Sequence, residues 1–388
     1  MVKDFCEWIF HHTGKIRNKK PVQFIKEGLY MKIGVLGSGN GAHAVAFECA
    51  MAGHDVSMFD FPQFDKSIKA IAEAGGIYSD GLLEGFQKIT YAGSDISKVV
   101  PGADIVFAVG PAYSTIAFGE ACAPYVKDCK TFVVMPGSCA GALVFKKALG
   151  LEVDDNSVTV ADTSTLPYAV RIMGPAKISV MNRLPGGVFL ATLPKEKGEE
   201  LYAALSSVFI GLEKGKGIFH TTLQNGNPVI HPPITTLNAA LLERTNGDFL
   251  FYQEGVTPAV GNVIKGLDDE RIAIGKALGV DIINDPDLSV REGYFTEATY
   301  VSGYNTAPGF EGIKAPSSLN YRYYTEDVGY TMLFWIDLAN KLGVEVPLMK
   351  AMVTLISTIM GRDFAAEAPR TLESVGLGNY SAAELKAL

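Results

Sequence analysis

A glycine-rich turn held between a strand and a helix limits what this chain can fold into more than any other feature. Lys32-Ile33-Gly34-Val35-Leu36 is a short apolar run of strand type, and Gly37-Ser38-Gly39-Asn40-Gly41-Ala42 follows it directly. Helical spacing then carries apolar residues through Phe47, Ala50 and Met51 to Gly53, and a second apolar run, Asp55-Val56-Ser57-Met58-Phe59, ends at Asp60. Strand, turn, helix and strand make one crossover unit, and such units build parallel sheets. Further apolar strands are expected at 89–91, 104–109 and 131–135, in keeping with burial on both faces. More β structure is expected at 157–161, 177–181 and 188–192, and a helix over 195–208.

Beyond residue 215 the period becomes helical, at 234–242, 256–278, 329–342 and 348–360. The expected fold is therefore an α/β Rossmann-like, doubly wound parallel sheet over 31–215, followed by a mostly α-helical domain over 216–388. A linker is expected in 211–217, which is rich in Gly and Lys.

The turn also carries chemistry. In the spacing Gly37-x-Gly39-x-x-Ala42, Gly37 permits the tight turn and Gly39 allows close backbone approach to a pyrophosphate. Ala42 lets the helix pack close to the strand. Ser38, Asn40 and Gly41 complete the expected loop at the helix N-terminus. Asp60 stands near the distance of about 20 residues expected for a ribose-binding acid. A carboxylate there repels a 2′-phosphate, so NAD is expected rather than NADP; the alternative is that Asp60 only caps the turn into Phe61-Pro62. Gly110-Pro111 and Met135-Pro136-Gly137-Ser138 follow strand ends on the same edge, where ligands of such sheets bind.

Composition excludes other classes. A formal net charge of -8 argues against nucleic acid as the main partner. No apolar run approaches the ~20 residues needed to span a bilayer. Cys6, Cys49, Cys122, Cys129 and Cys139 form no CxxC pair and no metal-ligand cluster, which suits free thiols in a reducing cytoplasm and no bound metal. Residues 1–30 form an N-terminal extension that either is a translated leader ahead of a start at Met31 or is a basic amphipathic arm. The intact mass of the native protein decides between these.

Among the six histidines, His231 stands apart, because Pro232 and Pro233 fix the backbone after it and Asn225, Asn227 and Pro228 precede it. A rigid polar turn at the head of the helical domain suits a general acid/base, and a buried structural histidine is the equal alternative. Asp327 is a partner able to fix the histidine tautomer. Arg322, five residues earlier, is able to hold a carboxylate through two parallel hydrogen bonds. The plainer alternative is a structural Arg–Asp pair at a helix start.

Five segments, GVLGSGNGAHA (34–44), TLPYAVR (165–171), NPVIHPP (227–233), YQEGVTPAV (252–260) and RYYTEDV (322–328), occur in this order. With them the chain resembles the octopine/nopaline (opine) dehydrogenase family over nearly all of 31–388. The resemblance implies reductive condensation of an amino acid with a 2-oxo acid such as pyruvate, using NAD(P)H. It implies a catalytic pair at His231 and Asp327 and a carboxylate-binding arginine at Arg322. Departures concern the substrates: Gly329 replaces a frequent proline, Asp162 a usual glutamate and Val144 a common acid, and 110–115 lacks an expected polar side chain. Two other readings remain, a simple 2-oxo acid or β-hydroxyacid reductase and a non-catalytic NAD(H)-binding protein. The apolar helices after Gly329 suit either core or a homodimer surface.

Overall fold

Eight strands line up in the order β12-β11-β8-β7-β6-β1-β2-β5 in the computed structural model, which describes residues 30–388. In chain order the strands are β1 (Lys32–Leu36), β2 (Asp55–Phe59), β3 (Gly76–Gly81), β4 (Gly85–Lys88), β5 (Tyr91–Gly93) and β6 (Ile105–Ala108). They continue as β7 (Thr131–Val134), β8 (Thr159–Thr163), β9 (Tyr168–Gly174), β10 (Lys177–Arg183), β11 (Val188–Leu193) and β12 (Leu212–Lys214). From β8 to β5 every pairing is parallel; only β11 runs against β8. The expectations on the extension fall on residues 1–29, outside the described residues.

β1 is fully apolar after Lys32, with Ile33, Val35 and Leu36 each at most 2% exposed. The helix Asn40–Met51 covers one sheet face through Ala44, Val45 and Phe47. The other face packs Val106, Phe132 and Val134 into the larger core shared with the helical half. The chain leaves β1 to β2 on one side and reaches β6 on the other. The switch point of the sheet therefore lies between the loops after β1 and β6.

Three expectations need correction. A second sheet, β4-β3-β10-β9, stands beside the cofactor helix. Its strands β3, β4 and β9 were not expected, because Gly76, Gly81, Gly85 and the exposed Tyr78, Phe86, Arg171 and Met173 break the apolar patterning. The 211–217 linker contains β12, an edge strand paired with β11. His231 lies inside the helix Asn227–Leu237 rather than in a turn. Pro228 is in the first turn, where its missing N–H costs nothing. Pro232 and Pro233 forgo bonds to the carbonyls of Pro228 and Val229, and the helix is held by burial of nearly its whole length instead.

The long helix Pro258–Leu278 starts at a Thr257 cap and presents Ile264, Leu267 and Ile274 to the core. Asp268 and Arg271 pair within it at 2.6 Å with both side chains fully buried. The helical segment opening at Arg322 widens into a π-turn over Asp327–Met332 before the α-helix Leu333–Leu342. Leu333, Phe334, Trp335 and Leu338 of that last helix belong to the core.

Candidate active site

The glycine loop and the loop after β6 touch. Gly37 has φ +109°, and a Cβ there would lie 2.4 Å from the Val109 carbonyl oxygen. Gly37→Ala is therefore expected to destabilise the protein by about 2 kcal/mol or more and to weaken dinucleotide binding. Chemical denaturation and NADH titration of the purified variant check both. Gly39 is the reverse case: a Cβ added there meets nothing within 4 Å. The helix that follows has no side-chain cap at its N-terminus, so the N–H groups of its first turn face an open cradle. Those donors and that space fit a pyrophosphate.

Asp60 follows β2 directly and is 6% exposed. It accepts from the Ser38 hydroxyl at 2.6 Å and from the Phe61 N–H at 2.8 Å. Burial raises its carboxyl above the usual range, against those hydrogen bonds. Ser38 thus spends its side chain on Asp60, and Asn40 spends its own on the Ile172 N–H of β9 at 2.7 Å. Gly41 packs against Leu166, with a Cβ there only 3.0 Å from its methyls. Ala42 is 1% exposed. Gly110 is pinned under Ser114, where a Cβ would be 2.3 Å from Oγ, and the Pro111 carbonyl accepts from that hydroxyl at 2.7 Å.

The structure brings His231 and Asp327 together across 96 residues of sequence: Nδ1 and Oδ2 are 2.7 Å apart. The other ring nitrogen, Nε2, is 3.0 Å from the Tyr252 hydroxyl. Tyr323 stacks on the imidazole with ring centroids 4.0 Å apart and planes 21° from parallel. A carboxylate at Nδ1 fixes the proton there, which leaves Nε2 to accept from Tyr252 O–H in the neutral ring. Burial holds the Tyr252 phenol well above its ordinary pKa, so it stays a donor.

Arg322 points out of the same segment, with its side chain 54% exposed. Its Nε lies 3.2 Å from Glu326 Oε2, and its two terminal nitrogens have no partner among the described residues. Glu326 in turn accepts from the Ala112 N–H at 2.9 Å, tying the arginine's segment to the loop after β6.

The contact of Tyr252, in the segment YQEGVTPAV, with His231 has no signal in spacing, since the two lie 21 residues apart. Glu326 and Arg370 were given no role from the sequence. Arg370 is 2% exposed and donates to the carbonyls of Ser138, Cys139 and Ala112, the last at 2.7 Å. It clamps a loop in which Ser138, Cys139 and Ala140 all take positive φ. Nothing near Arg370 in the sequence signals this. Asp162, at a position of departure, is buried and fastens helices: it accepts from Thr221 Oγ1 at 2.6 Å and Ala142 N–H at 3.0 Å. Burial pushes its carboxyl up to about 7.

A doubly wound sheet with an open glycine cradle at its switch point, joined to a helical half bearing a buried His–Asp pair, is the build of an NAD(P)-dependent oxidoreductase. Residues 214–360 match the family model for the α-helical domain of NAD/NADP octopine/nopaline dehydrogenases. An opine dehydrogenase from Arthrobacter sp. (strain 1C) is 33% identical over 353 residues, which cover 91% of this chain and 97% of the relative. Protein ocs of Agrobacterium vitis is 26% identical, covering 90% of this chain and 97% of its own. An octopine dehydrogenase solved with NADH and L-arginine superposes with a TM-score of 0.73 at 18% identity, over 92% of this chain and 98% of that one. The chain belongs to the opine dehydrogenase family.

Proposed function

We propose that this protein reduces, with NADH, the imine formed between an L-amino acid and a 2-oxo acid of the pyruvate type, giving an N-(1-carboxyalkyl) amino acid. The observation that carries the reading is the buried His231–Asp327 contact at 2.7 Å, set in a helical half that matches this family. The dinucleotide-binding part is 31–215 and the helical substrate part 216–388, a division supported by the start of the family match at residue 214.

The bound nicotinamide supplies hydride to the imine carbon. Gly37, Gly39, Gly41 and Ala42 seat the pyrophosphate at the helix start, and Gly110 and Pro111 wall the cleft beside it. Arg322 holds the 2-oxo acid carboxylate with its two free terminal nitrogens while Glu326 fixes its Nε. His231 exchanges the proton at Nε2, with the Tyr252 hydroxyl as the neighbour on that atom, and Asp327 stabilises the imidazolium. The packed rings of Tyr323 and Phe251 keep water from the dyad, which protects an imine from hydrolysis.

Asp60 favours NAD, since a 2′-phosphate there meets a carboxylate already engaged by Ser38. Asp60→Ser is expected to lower the NADH-over-NADPH ratio of kcat/KM by roughly tenfold or more; an unchanged ratio refutes the role. Among the described residues no helix is long and apolar enough to cross a membrane. Four free thiols, Cys49, Cys122, Cys129 and Cys139, support a place in the reducing cytoplasm. The test of the function is NADH oxidation with pyruvate and other 2-oxo acids, with and without a pool of L-amino acids. Turnover that needs both partners is expected; turnover with the 2-oxo acid alone moves the protein to the simple reductases.

A further inference from the structure

We infer that His43 is a positioning residue for the cofactor seat: by holding the Gly39 carbonyl it aims the backbone donors of the glycine loop and so sets the affinity for NADH. This rests on the reading of 37–42 as the pyrophosphate seat and adds to it the side chain that gives the seat its shape.

His43 stands in the first turn of the helix Asn40–Met51 and is fully buried. Its Nδ1 lies 2.9 Å from the Gly39 carbonyl oxygen, and its backbone N–H reaches the same oxygen at 3.1 Å. A carbonyl only accepts, so the ring carries its proton on Nδ1, and Nε2 is left as a bare acceptor. Nε2 has no partner among the described residues. Burial lowers the pKa of the ring below its ordinary value, so the ring meets the carbonyl in its neutral form. A buried nitrogen without a partner is costly, and leucine would fill similar space without that cost. The imidazole therefore weakens the fold through Nε2, and its side-chain hydrogen bond goes to the glycine loop.

That contact decides where donors point. A trans peptide holds its C=O and N–H on opposite sides. With the Gly39 oxygen turned to His43, the Asn40 N–H is turned away from the ring. The preceding plane is set in the same manner: Ser67 Oγ donates to the Ser38 carbonyl oxygen at 2.8 Å, which turns the Gly39 N–H away from Ser67. The N–H groups of Gly39, Asn40 and Gly41 donate to nothing among the described residues. A Cβ on Gly39 would meet nothing within 4 Å, so these donors border open space. Gly39 has no Cβ to restrict its backbone, so contacts rather than sterics must hold its peptide planes. The backbone bond from His43 N–H is the first of the helix, where fraying is easiest, and the ring bond reinforces it. Without the ring bond the Gly39–Asn40 plane is free to turn, and binding must supply the order that the seat lacks.

NADH titration of the full-length protein, followed by fluorescence, and urea unfolding of the same protein without cofactor test this together. His43→Leu is expected to raise the Kd for NADH by roughly 5- to 30-fold, while its unfolding midpoint stays at or above that of the parent. His43→Asn puts an amide donor near the place of Nδ1 and is expected to bring the Kd back to within a few-fold of the parent. A residue that only packs the helix would behave differently, with affinity falling only where stability falls. Parent-like affinity in His43→Leu overturns the inference, as does a His43→Asn that binds no better than His43→Leu, or a loss of affinity that merely follows a loss of stability. Only folded protein binds in the titration, so the Kd of a weakened variant is still read. Binding is measured without turnover, so the imine chemistry does not enter. A parent that binds no NADH overturns the seat at 37–42 and the inference with it. A parent that binds NADH beside an unaffected leucine variant keeps the seat and removes His43 from it.

Discussion

His231→Ala lowers kcat by about 10²–10⁴-fold and leaves NADH affinity within a few-fold of the parent. The expectation follows from where the ring sits. It lies on the helical half, away from the glycine cradle, and both its nitrogens are committed, to Asp327 at 2.7 Å and to Tyr252 at 3.0 Å. Asp327→Asn keeps the shape and removes the charge that stabilises imidazolium, so it falls by less than the alanine variant but still by about 10²-fold. Stopped-flow measurement of the reduction step, with NADH binding followed separately by fluorescence, checks both. Near-normal rates in the two variants would remove the pair from the mechanism and leave it a buried structural contact.

Replacing Arg370 with methionine destabilises the protein by about 3–5 kcal/mol, the largest stability effect expected of any single change outside the core. The guanidinium serves four acceptors, the Ser138, Cys139 and Ala112 carbonyls and Thr115 Oγ1. It also stands 5.2 Å from the centroid of Tyr330, in the widened turn that begins at Asp327. Methionine fills much of the volume but leaves the Ser138 and Cys139 carbonyls without a donor in a dry interior, at about 1–3 kcal/mol for each group left unpaired, while the Ala112 carbonyl keeps the Thr115 hydroxyl. Ser138, Cys139 and Ala140 lose the clamp that holds them at positive φ, so the loop after β7 should relax as well. Urea denaturation gives the stability change. Hydrogen exchange should show lost protection in 137–141 and around 112; protection unchanged there would mean the clamp is not what shapes the loop.

The parts legible in the sequence are those set by local pattern. β1, the glycine turn and β2 were readable because a buried parallel strand must be apolar throughout and a tight turn must be glycine. The helices 258–278 and 347–360 were readable from spacing, within two residues at each end. Of the second sheet only β10 was, because the other strands have one solvated face and carry Gly and charged residues among their apolar ones. His231 was misplaced in a turn because three prolines in six residues normally break a helix, and the packing that overrides them is tertiary. The residues marked His231 and Asp327 as candidates, but no rule of spacing links positions 96 apart, and likeness to a family was what joined them as a pair. Arg370 carries no local mark at all, because it is defined by the carbonyls it finds in the folded chain.

The fate of one hydride separates imine reduction from reduction of the 2-oxo acid alone. NADH deuterated at both C4 positions, supplied with pyruvate and an amino acid, should yield an N-(1-carboxyethyl) amino acid. That product should carry deuterium on the former keto carbon, the carbon now joined to nitrogen. Deuterium found instead in lactate, with the amine unused, would contradict the account and leave a simple 2-oxo acid reductase.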